Sequence, residues 1–313
     1  MTRAVRDPRK VFGAAVTAAA ELDERIVALS VDSGLSSGLG ALRDRHPDRY
    51  MEFGIMEQAS TGIASGLATS GKIPVLCAIA PFVTVRNYEM FRNDLGYMRQ
   101  NVKIVGRNGG LSYSQLGPTH HSLEDFAITR MIPGVTVLAP QDCGEIEAAV
   151  TAMLEHVGPV YMRIGAGLIP DLFNDGPLVI GQGRLISAGT NVTVISTGHI
   201  TAEVMEAVRM LQARGLSVEH IGLATVWPLD RTMILESVAR TRNVVTVEEH
   251  YVHGGLGGAV AELLAEHLPV PLSIVGVPHE FVSSGPYDEV LAHCGLDAAS
   301  IAARIERVMQ IAA

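Results

Sequence analysis

The sequence predicts two α/β domains, each a mostly parallel sheet flanked by helices. Strand-like and helix-like segments alternate from one end of the chain to the other, as parallel strands joined by helical crossovers do. That alternation lapses between Gly165 and Asn191, where Gly165, Gly167, Pro170, Asn174, Gly176, Pro177, Gly181, Gly183 and Gly189 accumulate in place of a periodic pattern. The chain has 313 residues, 48% hydrophobic and 18% charged, which is long for one core and suits two. The expected limits are a first domain over 1–168, a linker over 169–190 and a second domain over 191–313.

At the start, Arg3, Arg6, Arg9 and Lys10 precede the apolar run Val11 to Ala20, an arrangement also found in secretory leaders. The run is rich in Ala rather than Leu, and Ile26-Val27-Ala28-Leu29-Ser30-Val31 follows it as a first strand, so a helix over 9–22 is expected. Further strands are expected at 73–79, 102–107, 135–138 and 159–163, with helices at 56–70, 82–98 and 142–156. In the last of these Ile146, Ala149, Val150, Met153 and Leu154 share one face, and Asp142 stands before it as an N-cap. The second domain repeats the alternation with strands at 192–197, 217–222, 243–247 and 272–276. Its helices are expected at 201–214, 230–240, 256–267, 286–293 and 297–310.

Composition narrows the function. With 24 Lys and Arg against 33 Asp and Glu the net charge is -9, and no basic run occurs, which argues against a nucleic-acid partner. Cys77, Cys143 and Cys294 lie far apart without metal-ligand spacing and read as reduced thiols of a cytoplasmic protein. No apolar stretch is long enough to suggest a membrane span.

Four segments carry candidate chemistry. In Phe53-Gly54-Ile55-Met56-Glu57-Gln58-Ala59, a carboxylate stands where a helix begins, followed by small and apolar residues that keep it near packed core. Glu57 is either an acid favoured by the helix dipole or a fixed, partly desolvated catalytic carboxylate. One chemistry that needs the latter is activation of thiamine diphosphate, in which a carboxylate hydrogen-bonds a nitrogen of the aminopyrimidine ring. In Gly117-Pro118-Thr119-His120-His121-Ser122-Leu123-Glu124-Asp125, two histidines sit on a rigid loop beyond a strand and the glycines Gly106, Gly109 and Gly110. They suit proton transfer or hydrogen bonding to a developing oxyanion, or are plain surface histidines. Phe82, Val85 and Tyr88 recur at every third residue, as a wall for a flat heteroaromatic ring or as core packing would. Gly254-Gly255-Leu256-Gly257-Gly258 follows a strand and opens a helix, where it serves either a phosphate or close packing. Val260 at the third glycine position departs from the dinucleotide fingerprint.

Taken in order, these segments resemble the carboxyl-terminal half of transketolase, its pyrimidine-binding domain followed by its carboxyl-terminal domain, over nearly the whole chain. The resemblance implies that Glu57 is the cofactor-activating acid and that Asp32, Phe82, Val85 and Tyr88 surround the cofactor. It places Arg9, Ser36 and Arg163 on a substrate phosphate, His120 in catalysis at the sugar, and Asn108 and His121 beside the substrate. Leu116 stands where sugar-specific members have an Asp, Asn108 where they have a His, and Val85 where they have an aromatic, so a non-standard donor or acceptor is implied. The Gly-Asp-Gly that holds Mg²⁺ in this class is absent, its nearest relative being Asn174-Asp175-Gly176 in the linker. The resemblance therefore implies no metal ligands on this chain and a separate diphosphate-binding subunit that supplies them, in an α2β2 heterotetramer acting on sugar phosphates. The second domain is also similar to deoxyxylulose phosphate synthases and to the β subunits of 2-oxo acid dehydrogenases, which makes those activities the alternatives. A non-catalytic structural subunit is the third.

Overall fold

The computed structural model describes residues 4–173 and 176–311; Arg3 and the Asn174-Asp175 pair lie outside the described residues. The first half runs β1 (Val5–Arg6), α1 (Pro8–Leu22), β2 (Ile26–Ser30), α2 (Gly40–Arg45), β3 (Tyr50–Glu52), α3 (Glu57–Thr69), β4 (Ile73–Ile79), α4 (Tyr88–Met90), β5 (Lys103–Arg107), α5 (Asp125–Arg130), β6 (Thr136–Leu138), α6 (Cys143–Glu155), β7 (Val160–Arg163) and β8 (Ile169–Pro170). The second half runs β9 (Arg184–Ser187), β10 (Val192–Ser196), α7 (Thr201–Gln212), β11 (Val218–Gly222), β12 (Thr225–Trp227), α8 (Arg231–Thr241), β13 (Val244–Tyr251), α9 (Leu256–His267), β14 (Leu272–Val277), α10 (Tyr287–His293) and α11 (Ala298–Ile311).

Two mostly parallel sheets result. The first has the order β12-β6-β7-β5-β4-β2-β3 and the second β14-β13-β10-β11-β9. In each, one edge strand is antiparallel, β12 against β6 and β9 against β11. The sequence pattern assigns no strand to either place. Arg184–Ser187 lies in the glycine-rich stretch read as linker, and Thr225–Trp227 crosses over to complete the sheet of the other half.

Helices sheathe both faces of the first sheet. On one, Phe12 and Val16 of α1 and Ile146 and Ala149 of α6 pack on Ala28, Val75, Val105 and Met162. On the other, Ala64 of α3, Phe91, Leu95 and Phe126 pack on Leu29, Leu76, Ile104 and Tyr161. Asp142 caps α6 as expected, its carboxylate accepting from the Glu145 N–H at 2.8 Å. The Gly254–Gly258 turn holds an internal anion: the Glu248 carboxylate accepts from the Leu256 and Gly257 N–H groups, each at 2.7 Å, and closes the start of α9. A side chain at Gly255 would collide with that carboxylate, so the glycine there serves packing.

The single helix expected over 82–98 is absent. A 3-10 turn over Ala80–Phe82 leads through irregular turns into the three residues of α4 and then a π-helical stretch, Phe91–Tyr97. Thr84 donates to the Ala80 carbonyl at 2.7 Å, and Asn87 turns inward to donate to Thr61 at 2.6 Å. Thr84 closes the turn locally and Asn87 holds it against α3, in place of a continuous helix.

Candidate active site

Glu57 opens α3 without a capping side chain before it, so the free N–H groups of the first turn favour its negative charge. It is 4% exposed, and its Oε1 accepts from Arg86 Nη1 at 2.8 Å. Arg86 is held there by its own backbone, because Gln58 Nε2, one residue after Glu57, donates to the Arg86 carbonyl at 3.0 Å. The guanidinium lies 3.9 Å from the centroid of the Phe82 ring, in a cation–π stack. The His120 ring meets Phe82 edge-on, 5.3 Å between centroids, and Tyr113 packs edge-on against His120 at 5.5 Å.

The other two residues of the expected aromatic wall lie elsewhere. Tyr88 donates its hydroxyl to the Ile128 carbonyl at 3.1 Å and packs on the core of the first sheet. Val85 is exposed, on the outside of the turn. The break in the helix accounts for both, since every-third-residue spacing aligns side chains only along a continuous helix. Of the three, Phe82 alone packs with Arg86 and His120 beside Glu57.

The His120 loop is fastened to the second half of the chain. Glu249 Oε1 accepts from the Leu111 N–H at 2.5 Å, the Tyr251 N–H donates to the Leu123 carbonyl at 2.9 Å, and the Gly285 N–H donates to the Ser114 carbonyl at 3.2 Å. Within the loop, Thr119 Oγ1 pairs with His120 Nδ1 at 2.9 Å. Burial first and the neighbouring Arg86 charge second hold the His120 ring below its ordinary pKa, so it is neutral at neutral pH. His121 turns the other way, into the interior toward Glu249, and burial lowers its pKa as well. The two histidines are therefore separated.

A second cluster gathers at the carboxyl ends of the neighbouring strands. Arg107, the last residue of β5, is buried and donates from Nε to Ser37 at 3.0 Å, from Nη1 to Asn108 at 3.1 Å and from Nη2 to Ser36 at 2.8 Å. Arg9 stands close enough that its charge, after burial, depresses the pKa of Arg107, with Tyr113 close by. Asp7, the N-cap of α1, aims Arg9 through two hydrogen bonds at 3.0 and 2.8 Å. The approach of the Ser36 loop to α1 rests on glycine. A Cβ at Gly38, whose φ is +81°, would collide with the Arg9 carbonyl, and one at Gly13 with the Gly38 carbonyl. The Arg107 guanidinium and the Ser36 hydroxyl thus lie together, with Arg9, ion-paired to Asp7, close enough for its charge to act on Arg107, an arrangement suited to a phosphate or another oxyanion. Arg107 is absent from the sequence-based expectations. The available signal was an Arg closing the strand Lys103–Arg107, directly before the loop Asn108-Gly109-Gly110.

Arg163 corrects the expectation that it binds phosphate. It is 4% exposed and, paired with Gly106 in the sheet, projects to the face opposite Arg107. Its Nε donates to Asp125 at 2.8 Å, its Nη1 to the Glu249 carbonyl at 2.8 Å and its Nη2 to the Ser122 carbonyl at 2.9 Å and to Asp125. The guanidinium stacks 3.7 Å above Phe126, which stacks in turn on His250. Arg163 therefore ties β7, α5 and β13 together. Asp32 is exposed in a left-handed turn, φ +59°, held by the Glu52 carboxylate, which accepts from the Asp32 N–H at 2.7 Å. Asn108 is also left-handed, φ +55°, and is spent on Arg107.

Glu57 and Phe82 fit the aminopyrimidine half of a thiamine cofactor, since the planar Arg86 guanidinium already stacks and hydrogen-bonds as such a ring would. Among the described residues no helix is long and apolar enough to cross a membrane.

Comparison with known proteins identifies the family of both halves of the chain. Residues 5–170 match the family model of the transketolase pyrimidine-binding domain, and residues 181–301 that of the transketolase C-terminal domain. An apulose-4-phosphate transketolase subunit of Phocaeicola vulgatus is 37% identical over 291 residues, 92% of this chain and 93% of that one. The 6-deoxy-6-sulfo-D-fructose transketolase subunit SqwH of a Clostridium species is 37% identical over 284 residues, 90% of this chain and 88% of that one. A solved structure described as a split gene transketolase, inactive β4 tetramer, superposes with a TM-score of 0.91 at 34% identity, covering 97% of this chain and 98% of that one.

Proposed function

Because this chain belongs to the transketolase family, we propose that it is the pyrimidine-binding subunit of a two-chain, thiamine-diphosphate-dependent transketolase. The complex moves a two-carbon ketol unit from a ketose phosphate to an aldose or related acceptor. The observation that carries this reading is the nearly buried Glu57 carboxylate joined through Arg86 to the Phe82 ring, at the carboxyl ends of parallel strands where ligands of such sheets bind.

Thiamine diphosphate, when bound, supplies the nucleophilic thiazolium carbon. Glu57 would hydrogen-bond the pyrimidine nitrogen, Phe82 would stack against the ring, and exposed Asp32 would line the mouth of the site. His120, neutral and held by Thr119, donates to a substrate oxygen as negative charge gathers there. Arg9, Ser36 and Arg107 hold the phosphate. The Mg²⁺ ligands are assigned to the partner subunit, since this sequence has no Gly-Asp-Gly. Leu35, Ile55, Met56, Val85 and Leu116 are exposed apolar side chains on the segments that carry the site, which supports a partner that covers them. We assign the complex an α2β2 stoichiometry and a cytoplasmic location, the latter supported by buried, free Cys77, Cys143 and Cys294.

Calorimetry tests the division of labour. Tight, Mg²⁺-dependent cofactor binding is expected only after the diphosphate-binding chain is added, and such binding by this chain alone would refute it. For the phosphate site, Arg9→Ala and Arg107→Ala are each expected to raise the KM of a phosphorylated substrate by roughly 10- to 100-fold, the range for a hydrogen bond to a charged group. A dephosphorylated analogue should be nearly unaffected. Equal losses on both substrates would make these arginines structural. For the histidines, His120→Ala is expected to lower ketol transfer by roughly 10² to 10⁴-fold while proton exchange at the thiazolium carbon stays near normal. His121→Ala should do less, and a collapse of exchange in His120→Ala would place that residue in cofactor activation instead.

A further inference from the structure

We propose that Arg86 is a placeholder for the cofactor: its guanidinium fills the aminopyrimidine seat between Glu57 and Phe82 and must swing out as the cofactor enters. The inference rests on the reading of Glu57 and Phe82 as that seat. Four observations carry it. The guanidinium is a flat N–H donor that makes the two contacts an aminopyrimidine would make, a hydrogen bond to the Glu57 carboxylate at 2.8 Å and a face-on stack 3.9 Å from the Phe82 centroid. The contact is built in, because Gln58 clamps the Arg86 carbonyl and Asn87 is tied to Thr61 of the same helix. The Arg86 side chain is 41% exposed against 4% for Glu57, so it has an open path outward whereas the carboxylate does not. Finally, no ring can stack on that face of Phe82 while the guanidinium lies there.

The arrangement also answers a physical difficulty. A carboxylate taken out of water without a partner is costly, and a subunit made separately from its partner has to keep Glu57 in place until the site is assembled. Arg86 supplies the missing partner meanwhile. The cofactor then competes with an internal group, and its apparent affinity is lowered by the fraction of molecules in which the seat is filled.

In the reconstituted two-chain complex, Arg86→Ala is expected to bind thiamine diphosphate about 2- to 6-fold more tightly than the parent protein by calorimetry, the range for displacing a partly exposed ion pair. Arg86→Lys, which keeps the charge but cannot stack as a plane, should fall between the two. Methylguanidinium provides a readout that needs neither turnover nor partner. Added to the Arg86→Ala subunit it should occupy the vacated seat, giving saturation transfer from the Phe82 ring and, in the complex, weakening cofactor binding competitively. The parent subunit should show neither effect. Thermal melts verify that the variants fold. Cofactor affinity in Arg86→Ala equal to or weaker than that of the parent overturns the proposal, as does a lack of methylguanidinium binding to the folded variant. If Glu57→Gln leaves thiazolium exchange intact, the seat itself is misassigned. If that exchange collapses while Arg86→Ala behaves as the parent, only the placeholder role falls.

Discussion

Glutamine at position 57 is expected to remove nearly all ketol transfer from the two-chain complex, by at least the roughly 10² to 10⁴-fold typical of a lost acid–base group. The amide has the shape of the carboxyl group but cannot exchange a proton with the pyrimidine nitrogen. Folding should be spared. Among the described residues the charge removed is paired only with Arg86, whose side chain is 41% exposed, and a pair of that kind contributes about 0–1 kcal/mol. Deuterium exchange at the thiazolium carbon isolates the step from substrate binding. Exchange at the parent rate in Glu57→Gln would show that Glu57 is merely a helix-start acid.

Arg163→Ala is expected to act on stability rather than on substrate. Removing it leaves Asp125, which is fully buried, without its cation, and breaking a buried pair from one side costs about 3–5 kcal/mol. Burial opposes the Asp125 charge, but Arg163, with help from the Tyr161 hydroxyl at 2.6 Å, outweighs it and holds the carboxyl below its ordinary 3.8. A folded-state value below the unfolded one means the stabilisation is complete above about pH 4 and is lost as acid titrates Asp125. Denaturant titrations at neutral pH and below pH 4 measure both effects, and the difference between parent and Arg163→Ala should shrink in acid. Unchanged stability together with a selective loss of phosphorylated substrate would return Arg163 to the substrate site.

The architecture was legible because burial is written into local spacing. Apolar runs such as Ile26–Ser30 and Ile73–Ile79 are buried along most of their length, as strands covered on both faces must be, and the α6 stripe of Ile146, Ala149, Val150 and Met153 is buried along one side. Placing Glu57 at a helix start and His120 on a loop beyond a strand needed only the same local signals. The edge strands β9 and β12 were not legible, since each is short and partnered by a strand distant in sequence. The broken segment at 82–98 was not legible either, because its course depends on Asn87 and the Arg86 carbonyl finding Thr61 and Gln58 of α3 across space.

By itself, then, the sequence determined two parallel sheets and the chain positions of an acid, an imidazole and several arginines. Which arginine does what was decided by tertiary structure. In the register of β5 and β7, Gly106 is paired with Arg163, so Arg107 projects to the opposite face of the sheet. One face carries α1, Ser36 and Arg9, and the other carries α5, Phe126 and Asp125. Side chains alternate along a strand with a period of two, and a one-residue difference sends a cation either to the cleft or into the core. Arg86 followed the same logic. Nothing in its local sequence marks it, and it reaches Glu57 only because the turns that replace a helix fold it back across Phe82.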